Sequence, residues 1–300
     1  MSTFAFRTDL AAESRDMAAA ASAAAKLEGV DFKEYTLENT PCQELTVQTP
    51  DGAAAIGKPL GTYYTLSIAS LLRREDASFE NTTVALSELV TRLAESINTS
   101  SPILVVGLGN RAITPDAVGP QAAALTLVTR HLKDTMPDDF RAFSPVSVIA
   151  PGVLGTSGIE SFDYIKAVCE LVHPALVVAI DALAARSIDR LCTTLQITDS
   201  GISPGSGVGN ARPEISKSTL GVPVIAIGVP TVVDLRSAFL DHTELQEQLA
   251  VASESSVESM IVTPRSIDAL ITSVSRVIAY GLNLALHPGL TIADIDMLLC

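Results

Sequence analysis

Two aspartates in this 300-residue chain stand where apolar runs give out. Ile103-Leu104-Val105-Val106 leads through the turn Gly107-Leu108-Gly109-Asn110 to Thr114-Pro115-Asp116, and Ala175-Leu176-Val177-Val178-Ala179-Ile180 ends directly on Asp181. Open α/β sheets carry ligand and catalytic groups at the carboxyl ends of their strands. Two carboxylates held close there cannot both ionise cheaply, so one keeps a proton near neutral pH. The ionised member can activate water while the protonated one hydrogen-bonds a peptide carbonyl, the pair titrating as a unit. Taken singly, each has a plainer reading. Thr114-Pro115-Asp116 is also an N-cap, an N1 proline and a first-turn acid, and Asp181 is also a cap after a buried strand.

Other chemistries fit less well. Gly107-Leu108-Gly109 lacks the third glycine of a dinucleotide turn, since residue 112 is alanine. Gly205-Ser206-Gly207-Val208-Gly209 has the wrong spacing for a phosphate cradle and reads as a loop bordering the site. No G-x-S-x-G elbow is present. His173 and His287 each precede a proline, as helix-end residues do, and Cys192 falls in an apolar run where a thiol is inert. The four histidines and four cysteines (Cys42, Cys169, Cys192 and Cys300) show no metal-ligand spacing, so neither a metal nor a cofactor is expected.

The elements that must position the aspartates follow from hydrophobic periodicity. Leu86, Leu89, Val90, Leu93 and Ile97 recur at helical spacing ahead of the first strand. After the central turn a helix is predicted to about Lys133, then strand Val146–Ala150, helix Glu160–Leu171 and strand Ala175–Ile180. Further strands are predicted at Glu44–Val47, Leu191–Ile197 and Val222–Ile227, and helices at Leu10–Leu27, Tyr64–Leu72 and Ile267–Leu286. Asp9 is placed to cap the first of these helices. Strands alternating with helices predict an α/β fold of three layers, a mostly parallel sheet with helices on both faces. No repeat or linker divides it, so residues 10–300 are read as one domain.

Composition sets the class. With 47% hydrophobic residues the chain is globular. A formal charge of −14 argues against direct nucleic-acid binding, which needs clustered Lys and Arg. No uninterrupted apolar run approaches the ~18 residues of a membrane span, and Met1–Asp9 lacks a signal-peptide pattern. A cytoplasmic protein with no membrane partner is expected.

Six blocks in order resemble the germination endopeptidases, or spore proteases, of endospore-forming bacteria. They are Arg7-Thr8-Asp9-Leu10-Ala11; Gly107-Leu108-Gly109-Asn110 with Thr114-Pro115-Asp116-Ala117-Val118-Gly119-Pro120; and Pro151-Gly152-Val153-Leu154-Gly155-Thr156-Ser157-Gly158-Ile159-Glu160. The others are Ile180-Asp181-Ala182-Leu183-Ala184-Ala185-Arg186; Gln196-Ile197-Thr198-Asp199-Ser200-Gly201-Ile202 with Pro204 to Asn210; and Gly228-Val229-Pro230-Thr231-Val232-Val233-Asp234. Arg111-Ala112-Ile113 stands where that pattern usually carries an aromatic residue.

The resemblance implies a zymogen of an atypical aspartic-type endopeptidase that degrades small acid-soluble spore proteins during germination, in the cytoplasm of the forespore and spore core. It implies a homotetramer, and it sets the catalytic pair on Asp116 and Asp181. It also implies a cleavage preference for an acidic residue followed by a large apolar residue and alanine. Thr8-Asp9-Leu10-Ala11 has that form, which makes residues 1–9 a propeptide cut between Asp9 and Leu10. Substrate-binding residues stay unassigned. Two other readings remain: a nickel-dependent peptidase like those of hydrogenase maturation, whose fold and Gly-x-Gly-Asn turn are similar, and a non-catalytic peptide- or nucleotide-binding α/β module.

Overall fold

Uninterrupted runs of β-branched and aliphatic residues build the centre of the sheet, because a strand covered on both faces has no polar side to show. The computed structural model describes residues 8–21, 27–98, 100–235 and 260–299. The predicted propeptide therefore lies mostly outside the described residues, with Thr8 and Asp9 inside them.

In chain order the elements are α1 (Ala11–Ala21), β1 (Val30–Leu37), β2 (Thr40–Val47), α2 (Pro50–Ile56), β3 (Gly61–Ser67), α3 (Ala69–Leu72) and α4 (Ser78–Leu93). Then come β4 (Ile103–Gly107), α5 (Val118–Ala124), α6 (Arg130–Thr135), β5 (Val146–Ile149), α7 (Leu154–Ser157), α8 (Ser161–Val172) and β6 (Leu176–Ala185). The remainder is β7 (Thr194–Thr198), α9 (Lys217–Leu220), β8 (Val224–Asp234), β9 (Ile261–Val262), α10 (Ile267–Leu286) and α11 (Ile292–Leu299).

The described strands form one mixed sheet in the order β1-β2-β3-β7-β8-β6-β4-β5, with β9 against β8. The ladders β8–β6, β6–β4 and β4–β5 are parallel, and the ladders of β1, β2, β3, β7 and β9 are antiparallel. The parallel half is the expected α/β core. Ile103, Val105, Val178, Ile180, Ile225 and Ile227 point to one face, where α4 and α10 pack. Leu104, Val106, Val177, Ala179 and Val224 point to the other, against Ile165 and Cys169 of α8. Helices thus lie on both faces.

Helix α10 is long and apolar enough to cross a membrane by length and composition. Here it is a core helix, with Ile271, Val274, Val277, Ile278 and Leu282 fully buried. Asn283 on it donates to the Leu125 carbonyl and accepts from the Leu127 N–H. Those bonds satisfy the backbone where the single helix expected after the central turn is interrupted, between α5 and α6.

The antiparallel half departs from expectation at two points. Tyr64–Leu72, predicted helical throughout, is strand β3 as far as Ser67 and helical only over Ala69–Leu72. Tyr63, Tyr64 and Thr65 favour the pleated surface, and both neighbours β2 and β7 are there to pair with them. The hairpin partner β1, unanticipated, is an edge strand buried at its two ends, Val30 and Leu37, and partly or fully exposed between them.

Candidate active site

Asp116 and Asp181 arrive at one edge of the sheet by different routes. The β4–β6 ladder ends at Gly107 opposite Ile180, and the Leu108 N–H still donates to the Ile180 carbonyl at 2.8 Å. Asp181 is therefore the first residue of β6 beyond the end of β4, though β6 itself runs on against β8. Asp116 sits on a single 3-10 turn, Thr114–Asp116, after the glycine turn. Its carboxylate accepts the Asn110 N–H at 2.7 Å, closing the loop on itself. This is not the helix-cap contact that local sequence also allowed. Gly109 has φ +106°, and a Cβ there would meet the Asp116 carbonyl oxygen at 2.1 Å, so both the turn and the close approach call for glycine.

Two further glycines set the turn down onto the strands. A Cβ on Gly119, in the first turn of α5, would lie 2.2 Å from the Leu108 carbonyl oxygen and 2.5 Å from that of Ile180. A Cβ on Gly107 would lie 2.3 Å from the Gly119 carbonyl oxygen. Backbone packs on backbone there, so the Asp116 turn sits directly beside the end of β6.

The two carboxyl groups meet different surroundings. Asp181 is 5% exposed. Burial raises its pKa well above the carboxylate range, the charge of Asp116 raises it further, and Asp9 adds to the same effect. The Ala182 N–H, donating at 2.9 Å, only partly offsets this. Asp116 is half-buried; burial raises its pKa, and the Asn110 N–H opposes that rise. Burial and the neighbouring charge thus favour the protonated form of Asp181, burial favours it on Asp116 against the Asn110 N–H, and the two titrate as a coupled pair.

A stability test follows. The folded pKa of Asp181 lies above its unfolded value, so the folded state binds more protons than the unfolded state between the two values. Stability is lost as pH rises through that window and stays lost at neutral pH. Asp181→Asn removes the penalty. At pH 7 it is expected to stabilise the fold by on the order of 1 kcal/mol, or roughly 2 °C in Tm for a chain of this size. At pH 3 the two proteins should melt alike, as paired calorimetric scans would show.

Thr8–Ala11 lies alongside the same strand, and several of its partners were not foreseen. The Asp9 N–H donates to the Ala184 carbonyl at 2.9 Å, and the Ala184 N–H donates to the Asp9 carboxylate at 2.9 Å. The hydroxyl of Ser206 donates to the other oxygen of that carboxylate at 2.6 Å. Gln196 holds the backbone twice, donating to the Asp9 carbonyl at 3.2 Å and accepting from the Ala11 N–H at 2.7 Å. Lys58 donates to the Thr8 carbonyl at 2.9 Å; burial lowers its pKa, while Asp9 and Glu13 hold it up. Leu10 is fully buried among Leu183, Ala185, Leu191 and Val233. Glu13, in the first turn of α1, accepts from the backbone N–H groups of Arg186 and Ser187 and from the Thr8 hydroxyl. Asp9 therefore does not cap α1; its carboxylate is spent on β6 and on the glycine-serine loop.

Among the described residues no three His, Cys, Asp or Glu side chains form a group that could hold a metal ion. His173 and His287 are helix C-caps, and burial pushes His287 down to about 4.

A family model described as germination protease matches residues 8–246. A germination protease from Caldanaerobacter subterraneus subsp. tengcongensis is 40% identical over 98% of this chain and 98% of its own. One from Bacillus subtilis is 36% identical over 94% of this chain and 93% of its own. One from Priestia megaterium is 44% identical over 80% of this chain and 67% of its own. Among solved structures, the NiFe hydrogenase maturation protease HycI from Thermococcus kodakarensis KOD1 aligns with 65% of this chain and 98% of that one. The identity there is 16% and the TM-score 0.36.

Proposed function

The chain belongs to the germination protease family, and on that premise we propose that it is a self-processing zymogen of an aspartic-type endopeptidase acting on small acid-soluble spore proteins. The observation that carries the mechanism is the unequal pair: a buried Asp181 whose pKa is driven up partly by Asp116, beside an Asp116 whose charge is supported by a backbone N–H. Asp116 takes a proton from water, and the resulting hydroxide adds to the peptide carbonyl. The protonated Asp181 hydrogen-bonds that carbonyl oxygen as negative charge develops on it. When the C–N bond breaks, the proton held by Asp116 passes to the leaving amine. One oxygen of the new carboxylate comes from the water and the other from the peptide carbonyl, and the proton gained by the leaving amine is the one Asp116 took from that water.

The self-processing bond is Asp9–Leu10, and the intact segment lies beside β6 a few residues from Asp181. The same reading carries a homotetramer in the cytoplasm of the forespore, without direct contact to nucleic acid or membrane. Mass spectrometry after mildly acidic incubation tests it. Wild type is expected to lose residues 1–9, and Asp116→Asn is expected to stay whole. A new N-terminus elsewhere than Leu10, or processing that persists in Asp116→Asn, would overturn it.

A further inference from the structure

We propose that the cleft holding Thr8–Ala11 is the peptide-binding groove for substrates supplied in trans, with Ser206 and the Ala184 N–H as the subsite for an acidic side chain and Gln196 as the backbone clamp. The inference rests on the peptidase reading above and assigns residues to a site that reading leaves without any. The segment is held against β6 by one main-chain bond, from the Asp9 N–H to the Ala184 carbonyl, by side chains that grip its backbone, and by pockets for the side chains of Asp9 and Leu10.

Five features mark a built recognition site. Gln196 is buried in the sheet, yet both ends of its amide are turned onto the backbone of Asp9 and Ala11, a contact that any peptide sequence could make. The Asp9 carboxylate is matched atom for atom, one oxygen by a backbone N–H and the other by a hydroxyl. The wall beside it is Gly207, where a Cβ would stand 2.2 Å from the carboxylate oxygen and 2.6 Å from the Ala184 methyl. The loop turn Ser206–Val208 thus leaves room for a carboxylate and no more. The next residue of the segment, Leu10, fills an apolar pocket whose walls come from β6, β8 and the β6–β7 connection. Lys58 closes the near end by holding the Thr8 carbonyl.

The chain's own segment and a substrate peptide therefore compete for one groove. Ser206 and Gly207 choose the residue before the cut, and Gln196 holds whatever peptide is there without choosing.

The test uses the full chain and three peptides built on its own sequence: Thr-Asp-Leu-Ala-Ala, the Asn version of its second residue, and an Ala version of its third. With processed wild type, kcat/KM is expected to favour the Asp peptide over the Asn peptide by about 100-fold, since a site built for a polar partner rejects its analogue strongly. Ser206→Ala should cut that ratio about tenfold, and Gly207→Ala should lower cleavage of the Asp peptide specifically. Gln196→Leu should slow all three peptides alike and leave the ratios untouched. An unchanged Asp-to-Asn ratio in both Ser206→Ala and Gly207→Ala, with cleavage intact, would overturn the assignment.

A second readout needs no catalysis. In Asp116→Asn, millimolar Thr-Asp-Leu-Ala-Ala should displace the resident segment and speed hydrogen exchange at the Ala11 amide, and the Asn peptide should not. Displacement without cleavage in wild type would remove the peptidase reading and keep the groove. Exchange indifferent to the Asp peptide would remove the groove.

Discussion

Replacing Asp116 by asparagine is expected to lower kcat on any cleaved peptide by about 10³-fold, with an unchanged circular dichroism spectrum. The amide keeps the shape of the side chain and can still meet the Asn110 N–H through its oxygen, so the turn survives. What it lacks is a site for the proton of the attacking water. Asp181→Asn is expected to lose activity to a similar degree for the opposite reason. Its amide N–H is a weaker donor to the developing oxyanion than the carboxyl proton that burial keeps on Asp181.

The two variants separate in their pH behaviour. Wild type should show a bell, its acid limb set by ionisation of Asp116 and its alkaline limb by loss of the Asp181 proton. Residual activity in Asp181→Asn should keep the acid limb and lose the alkaline one. Activity within tenfold of wild type in either variant, on protein shown to be folded, would mean that the pair does not do the chemistry.

The second large effect is structural. Gly119→Ala should destabilise the fold by on the order of 3 kcal/mol and lower kcat by about 100-fold in whatever folds. The new methyl carbon would fall on three backbone atoms, the Leu108 carbonyl oxygen and nitrogen and the Ile180 carbonyl oxygen. None of these can rotate aside as a side chain would. The start of α5 must lift from the strands, and the 3-10 turn carrying Asp116 moves with it, away from Asp181. Gly155→Ala is the matched control, because nothing lies within 4 Å of a Cβ there. Chemical denaturation of the two variants beside wild type decides the matter; equal midpoints would show that the sheet edge tolerates a spacer.

The strands that lead to the aspartates are legible in the sequence because burial on both faces leaves an unbroken apolar run, as in Leu104-Val105-Val106 and Val177-Val178-Ala179-Ile180. Their company is less so. β3 misleads because Leu66, Ile68, Leu71 and Leu72 mimic a helical stripe, while one of the two strands that flank it, β7, lies more than a hundred positions later. β1 hides for the converse reason: an edge hairpin strand exposes half of Val30–Leu37 and shows no continuous run. Asp9 illustrates the limit most sharply. Locally it is a helix cap, and only Ala184 and Ser206, 175 and 197 positions away, recruit its carboxylate for something else. Ser206 and Gln196 lie in stretches that the sequence does single out, but their roles do not show there, since a loop serine and a strand glutamine acquire meaning only from the chain that is laid against them.

That separation along the chain has a consequence for synthesis. The N-terminal segment leaves the ribosome first, but its partners on β6, β7 and the loop at Ser206 follow much later. At roughly 5–20 residues per second the segment waits on the order of 10–40 s before it has anywhere to dock. The strand bearing Asp181 emerges within the same late interval as the residues that hold Asp9. The groove and its resident peptide therefore come into being together, and a nascent chain has no stage at which a completed cleft stands open to its neighbours on the polysome.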